Sequence, residues 1–220
     1  MRVGPTDCWV IADPPELAGP GGDKRSADLA RGLADVVGRG LLVVAPSQDG
    51  PALVEAAAPR FPSRDRVIGS APVAFAAALR RRLAEELGLE PSAVQAAPIG
   101  LPPAHAVVPH GAALAGGIPI ERLSPVATRR AVEALRSRAF GPVALAHAAA
   151  RVLAALSGAR PTVLPVFVFL AGEYGHRGVA LAVPARLCGG RLDTVVEFAL
   201  EPVDRVALDT AAERRRQGQG

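Results

Sequence analysis

The sequence predicts an α/β fold in which a parallel sheet is followed by an α+β region. Short, uncharged apolar runs at 8–12, 41–45 and 67–68 alternate with segments of helical periodicity, the pattern of parallel strands joined by crossover helices. Beyond residue 69 the pattern changes to long helices and two long apolar runs, at 163–170 and 179–187, which predict a hairpin. We therefore expect one domain at 1–69 and a second at 70–220.

The helices of the first domain are indicated by their apolar spacing. Leu29, Leu33 and Val36 recur at helical intervals and predict a helix over 26–37, and a shorter helix is expected over 51–58. The segment 13–22 is rich in proline and glycine, so we expect it to form a loop.

In the second domain, a stripe of large apolar residues at i, i+4 spacing predicts a helix over 73–88 that ends at Gly88. The stripe consists of Phe75, Leu79, Leu83 and Leu87. Ser124 before Pro125 is typical of a cap and first-turn pair at the start of another helix. The other expected elements are strands at 94–99, 106–108 and 192–200, and helices at 124–139, 142–156 and 202–215.

Composition excludes several classes of function. The formal net charge is +4 and the pI is near 10.0, but the arginines are interspersed with acids, so we expect no nucleic-acid binding. The basic block at 214–216 stands in a polar tail that we expect to be disordered. An apolar run of about 18 residues and a signal pattern are both lacking, so we expect a cytoplasmic protein with no membrane span. Cys8 and Cys188 are isolated, and we expect reduced thiols and no metal site.

Several segments resemble the lactate and malate dehydrogenases, in the same order along the chain. The segment IGSAPVAFAAALRRRLAEELGL at 68–89 resembles the start of that family's catalytic domain, and LAGEYGHRGVALAVPARLCGG at 170–190 resembles the hairpin that closes it. The strands in DCWVIAD and LLVVAPSQD resemble strands of the family's Rossmann sheet, and GEYG at 172–175 is the most specific match. The resemblance implies a truncated Rossmann-type parallel sheet joined to the family's C-terminal α+β domain.

The resemblance also implies an NAD-dependent 2-hydroxy-acid dehydrogenase, but the cofactor fingerprint is not found in these residues. In the family, a Gly-x-Gly-x-x-Gly turn places the pyrophosphate at a helix N-terminus, and an acidic residue about 20 residues later holds the ribose. The nearest glycine cluster here, Gly19, Gly21 and Gly22, follows a different strand. We therefore expect this chain to bind no cofactor.

The family's catalytic residues are replaced as well. In the family's Leu-Asp-x-x-Arg motif, the aspartate orients the catalytic histidine and the arginine grips the substrate carboxylate. Here Phe75 stands at the position of the aspartate and Ala78 at the position of the arginine. The family's Gly-Glu-His-Gly-Asp motif corresponds to 100–104, which contains no histidine. His105 follows directly and is the candidate for proton transfer, against the simpler interpretation of a loop histidine.

One substrate-binding candidate is retained. Arg25 lies where the family's mobile loop supplies an arginine to the substrate, although an arginine at a helix start is often only solvated. The family's asparagine beside the nicotinamide corresponds to Ala45.

We interpret the chain as a non-catalytic homologue that acts as a binding or assembly subunit. The alternative is an active malate or lactate dehydrogenase-type oxidoreductase that uses NAD, His105 and Arg25, or that is completed by a separate N-terminal chain. In the family's strand order the strand at 8–12 becomes a sheet edge. We expect another copy of the chain, or a distinct partner chain, to cover the Cys8–Ala12 edge.

Overall fold

The structure, a computed structural model, describes residues 8–12, 22–37, 40–46 and 49–218. Within the first helix the side chains of residues 22–25 and 34–36 lie outside the described part. Most of the loop expected over 13–22 also lies outside it, and Gly22 begins a helix.

The helices and strands follow the predicted order. The helices are α1 (Gly22–Val37), α2 (Gly50–Ala57), α3 (Ala71–Leu87), α4 (Ile120–Leu123), α5 (Ala127–Leu135), α6 (Pro142–Ser157) and α7 (Pro202–Gln217). The strands are β1 (Cys8–Ile11), β2 (Leu41–Val44), β3 (Val67–Gly69), β4 (Val94–Ala96), β5 (Ile99–Leu101), β6 (His105–Val107), β7 (Ala113–Ala115), β8 (Ile118–Pro119), β9 (Thr162–Ala171), β10 (Arg177–Cys188) and β11 (Arg191–Val195).

One large sheet contains both the parallel strands and the long hairpin. Its order is β1-β2-β3-β9-β10-β5-β6, and β11 also pairs with β10. The first three strands are parallel, with Cys8 opposite Leu41 and Leu42 opposite Val67. All residues of β2 and β3 are buried, as expected for parallel strands that are covered on both faces. The predicted α/β fold and the predicted hairpin are confirmed.

The parallel strands join the hairpin at Gly69. This glycine lies opposite Phe167 of β9, and a Cβ atom at Gly69 would lie 2.7 Å from the Cβ atom of Phe167. Only glycine allows the two strands to approach this closely. Because the sheet continues across residue 69, the two predicted domains share one sheet, and the division at this residue stays a prediction.

A second, smaller sheet, β4-β7-β8, packs with α3 and α5 around its own core. The predicted stripe of α3 faces this core: Phe75, Leu79 and Leu83 are buried. Gly88 ends α3 in the left-handed conformation, at φ 64°, and its N–H bonds the carbonyl of Ala84. The predicted helix and its C-terminal glycine are confirmed.

Four details of the sequence prediction are wrong. The strand expected over 94–99 is split between two sheets, as β4 and β5, because Pro98 has no N–H for a ladder. The helix expected over 124–139 covers Ala127–Leu135, and Ser124 accepts the N–H of Ala127 with its carbonyl instead of capping with its side chain. The strand expected over 192–200 ends at Val195. The tail at 214–216 is helical, because α7 continues to Gln217.

Candidate functional site

The turn between β5 and β6 positions His105. Leu101 pairs with His105 across the two strands. Gly100 has φ 90°, and a Cβ atom there would lie 2.7 Å from the carbonyl oxygen of His105, so this turn requires glycine. Residues 101–105 are thereby presented at the rim of a cavity.

This cavity, hereafter the His105 cavity, has a volume of about 480 Å³. Four segments line it: Pro51 at the start of α2, the β5–β6 turn, residues 136–139 after α5, and Arg214 and Arg215 near the end of α7. Pro51 follows the carboxyl end of β2, which is where open α/β sheets bind their ligands. The position and size of the cavity suit a small-molecule site.

The electrostatics around His105 are positive. Burial lowers the pKa of His105, and the nearby charges of Arg214 and Arg136 lower the pKa further. No carboxylate lines this cavity in the described part of the chain. His105 is therefore favoured in its neutral form, and no acidic group among the residues that the structure describes lines the cavity to orient its imidazole as a general base requires.

Arg215, which lines the His105 cavity, is held in a buried ion pair with Glu55. The Glu55 carboxylate accepts the N–H of Ala180 at 2.7 Å and the Nε–H of Arg215 at 2.8 Å. The side chains of Arg215 and Glu55 are only 13% and 8% exposed, so the two charges neutralise one another out of contact with most of the solvent. This pair ties α2, β10 and α7 together.

Phe75 lies in the hydrophobic core beside the smaller sheet and does not line the His105 cavity. It is 1% exposed, and its ring meets that of Phe140 edge to face with centroids 6.3 Å apart. Ala78, one turn further along α3, lines a different cavity of about 870 Å³ between α3 and α6, hereafter the α3–α6 cavity. The two positions of the family's Asp and Arg therefore do not converge on His105.

The α3–α6 cavity is also basic. Arg82 is paired with Glu85 and Glu86, but burial and the charge of Arg151 both lower the pKa of Arg80. Arg138 lines both cavities.

The two remaining candidate positions are Arg25 and Ala45. The backbone of Arg25 lies in the first turn of α1, but its side chain is outside the described part of the structure. Ala45 is buried and donates its N–H to the carbonyl of Ile11 at 2.9 Å. A small apolar side chain there offers no hydrogen bond to a carboxamide, so this position does not fit a nicotinamide.

The GEYG segment has a structural role. Glu173 bonds the guanidinium of Arg64 and the N–H of Ala171, and although burial raises the pKa of Glu173, these bonds lower it to about 2. Tyr174, held at φ 52°, donates its hydroxyl to the carbonyl of Val196 at 3.0 Å, and burial raises its pKa to about 12. Arg205 of α7 donates to the carbonyl of Tyr174 at 2.6 Å. The segment thus fastens the β9–β10 hairpin to its neighbours.

Two other groupings of side chains were not predicted from the sequence. His176 is buried, its Nε2 lies 3.0 Å from the Asp209 carboxylate, and burial lowers its pKa although Asp209 opposes this. Arg136 and Arg214 meet at the His105 cavity from separate helices. Neither grouping has a local motif, because each depends on how α7 docks against the rest of the fold.

The described residues contain neither a membrane-spanning helix nor a metal-binding cluster. No helix there combines the length and the apolar character needed to cross a membrane. Within the same residues, no three or more His, Cys, Asp or Glu side chains gather as a group that could hold a metal ion.

Known malate dehydrogenases are related to the chain in sequence. It is 33% identical to the malate dehydrogenase of Nostoc punctiforme over 165 residues, which cover 70% of this chain and 50% of that protein. It is 30% identical to the malate dehydrogenase of Symbiobacterium thermophilum over 183 residues, 79% of this chain and 58% of that protein. The chain thus spans about half the length of the curated relatives it matches. No protein-family model matches it.

Solved structures share the fold. The malate dehydrogenase from Aeropyrum pernix superimposes with a TM-score of 0.87 at 20% identity, covering 97% of this chain and 75% of that one. The minor L-lactate dehydrogenase from Enterococcus mundtii superimposes with a TM-score of 0.81 at 17% identity, covering 97% and 76%.

Proposed function

We propose that this chain, which belongs to the lactate and malate dehydrogenase family, is a non-catalytic homologue that acts as a binding or assembly subunit. Fold alone does not carry an activity when the residues of the site differ. The observation that carries the proposal is the burial of Phe75 at the position where the family resemblance expects the carboxylate that orients the histidine.

A carboxylate cannot replace Phe75 without a large change of the core. The Phe75 ring lies in a hydrophobic cluster with Leu79 and Leu83 and meets the ring of Phe140 edge to face. An ionised group at this buried position would lose its hydration, which costs several kcal/mol. The position therefore serves packing and not proton transfer.

The remaining catalytic positions support the same conclusion. Pro102, which corresponds to the family's histidine, has a side chain without any titratable group. Ala78 replaces the arginine that grips the substrate carboxylate, and it lines the α3–α6 cavity, whereas His105 lines the other. Hydride transfer to or from a 2-hydroxy acid needs both functions next to the reacting carbon.

The assembly role is supported by the exposed edge of the large sheet. Among the described strands, β1 lies at the end of the order and pairs with β2. Its Trp9 and Val10 are 37% and 46% exposed. Apolar side chains beside unpaired backbone groups favour pairing with another strand. We propose that a second copy of the chain or a distinct partner chain covers this edge.

The cysteines support a reducing compartment. Cys8 and Cys188 are both free thiols, and burial raises the pKa of Cys8, which makes this thiol less reactive. Isolated free thiols are typical of reducing compartments, and we propose that the protein is cytoplasmic.

The second candidate function is an active malate or lactate dehydrogenase-type oxidoreductase that employs NAD, either alone or as a complex with a separate N-terminal chain. The observation that favours it is the placement of His105 in a cavity beyond the carboxyl end of β2. In this case His105 would transfer the proton and Arg25 would hold the substrate carboxylate.

Titration of the purified chain with NAD and NADP by calorimetry separates the two functions. The non-catalytic role predicts no binding tighter than about 1 mM, a free energy of roughly 4 kcal/mol. A dissociation constant in the micromolar range would contradict the proposal and support the dehydrogenase.

A further inference from the structure

The lining of the His105 cavity is unusual in its charge. It contains Arg136, Arg138, Arg214, Arg215, His105 and the hydroxyl-bearing Ser137, and it includes no aspartate or glutamate among the described residues. The rest of the lining is apolar and consists of proline, leucine and alanine. Most of the cavity's polar groups are therefore cationic or hydrogen-bond donors.

The four arginines differ in whether a carboxylate already pairs with them. Arg215 is neutralised by the buried Glu55. Arg136 pairs with Glu133 at 3.1 Å, but both side chains are more than half exposed, and such a pair contributes at most about 1 kcal/mol. Arg138 and Arg214 form no ion pair with a carboxylate of the described residues. Three guanidinium groups are thus available to a ligand.

Helix stability explains part of this arrangement but not its convergence. Arg136 follows α5 and Arg214 lies in the last turn of α7, so each complements the negative end of its helix dipole. That role would be served equally by side chains that point away from one another. Instead both line one cavity and both act on the same imidazole, and no carboxylate of the described residues lines that cavity to offset their mutual repulsion.

We propose that the His105 cavity binds a small oxyanion with two or more negative charges, a phosphate group or a di- or tricarboxylate, held by Arg136, Arg138 and Arg214. Guanidinium groups bind such anions through paired, charge-assisted hydrogen bonds. His105, neutral beside these charges, contributes one further N–H donor. This inference deepens the binding role proposed above and rests on it, because it identifies the ligand class of the same subunit.

The proposal is tested by calorimetric titration of the full chain with inorganic phosphate, succinate and citrate at constant ionic strength. We expect saturable binding of at least one of these anions with a dissociation constant below about 1 mM. The anion that binds tightest distinguishes a phosphate site from a carboxylate site. The variant R136Q/R214Q is expected to weaken this binding by about a hundredfold, roughly tenfold for each lost charge-assisted bond.

Matched controls lie on the same two helices. Arg129 of α5 and Arg216 of α7 are exposed and do not line the cavity, so R129Q/R216Q loses the same charge and is expected to bind as the wild type does. The NMR signals of His105 are expected to shift on adding phosphate or the tightest carboxylate, with those of His147 in the α3–α6 cavity unchanged. A shift confined to His147 would overturn the assignment of the site.

The anion-site proposal would also be overturned if none of the three anions bound saturably, or if both double variants lost the same amount of affinity. Thermal unfolding of each variant confirms that it is folded before titration. Failure of the binding proposal remains distinguishable from failure of the non-catalytic role, because the first is measured without NAD and the second by turnover.

Discussion

Replacing Phe75 with aspartate restores the family's residue type at the position on which the non-catalytic role depends. The substitution removes a ring that is 1% exposed, together with its edge-to-face contact with Phe140. Truncation of a buried phenylalanine costs about 3–5 kcal/mol. The unpaired carboxylate adds about 1–3 kcal/mol even after it takes up a proton. We expect a total loss of at least 4 kcal/mol, roughly half of a typical domain's stability of about 5–15 kcal/mol.

Denaturant and thermal unfolding measure this loss. In a chain of this length each kcal/mol lowers the unfolding midpoint by about 2–4 °C, so F75D is expected to unfold at least about 8 °C below the wild type. F75L should lose less than about 1.5 kcal/mol, and V143D, at a residue that is 71% exposed, less than about 0.5 kcal/mol. If F75D were as stable as F75L, the position would tolerate a carboxylate and the reasoning from burial would be refuted.

Two further predictions concern acid stability and assembly. The pKa of Glu173 is lowered to about 2 from the ordinary 4.5, so its ionised form stabilises the fold above pH 4.5 and this contribution is lost as the pH falls toward 2. The full shift equals about 3 kcal/mol, which the 34% exposure of Arg64 reduces to about 1–2 kcal/mol. Urea unfolding between pH 2 and 6 should show this loss in the wild type and a smaller one in R64Q; equal losses would contradict it. At the sheet edge, V10K should dissociate the assembly in sedimentation measurements, whereas V203K, at an exposed residue of α7, should not. A wild-type chain that stays monomeric at high concentration would rule out self-assembly through this edge.

Strong local patterns predicted most elements of the fold. The Phe75 stripe and Gly88 define α3 because side-chain periodicity and the left-handed C-terminal residue are both local properties. The details that failed depend on partners elsewhere in the chain. The sequence around Pro98 is compatible with a single strand, and only the pairing of β4 and β5 in different sheets shows that the chain divides there. The strands β7 and β8 are too short to show a periodicity.

The candidate site was less predictable than the fold. The position of His105 at a turn followed from its neighbours in the sequence, but its arginine surroundings did not. Arg214 lies where the helix expected over 202–215 overlaps the tail expected to be disordered, and only the docking of α7 brings it to the same cavity as Arg136. The resemblance alone showed that Phe75 replaces the family's aspartate. Its contact with Phe140 could not be predicted, because it depends on how α3 packs in the fold.

Turnover tests the central claim most directly. Purified wild-type chain, shown to be folded, is incubated with NAD and either malate or lactate, and formation of NADH is followed. We predict no rate above the uncatalysed background for the wild type or for F75D/A78R, because Pro102 still occupies the histidine position in both. Steady NADH formation by the wild type from either acid, abolished by His105→Ala, would contradict the account and establish the dehydrogenase.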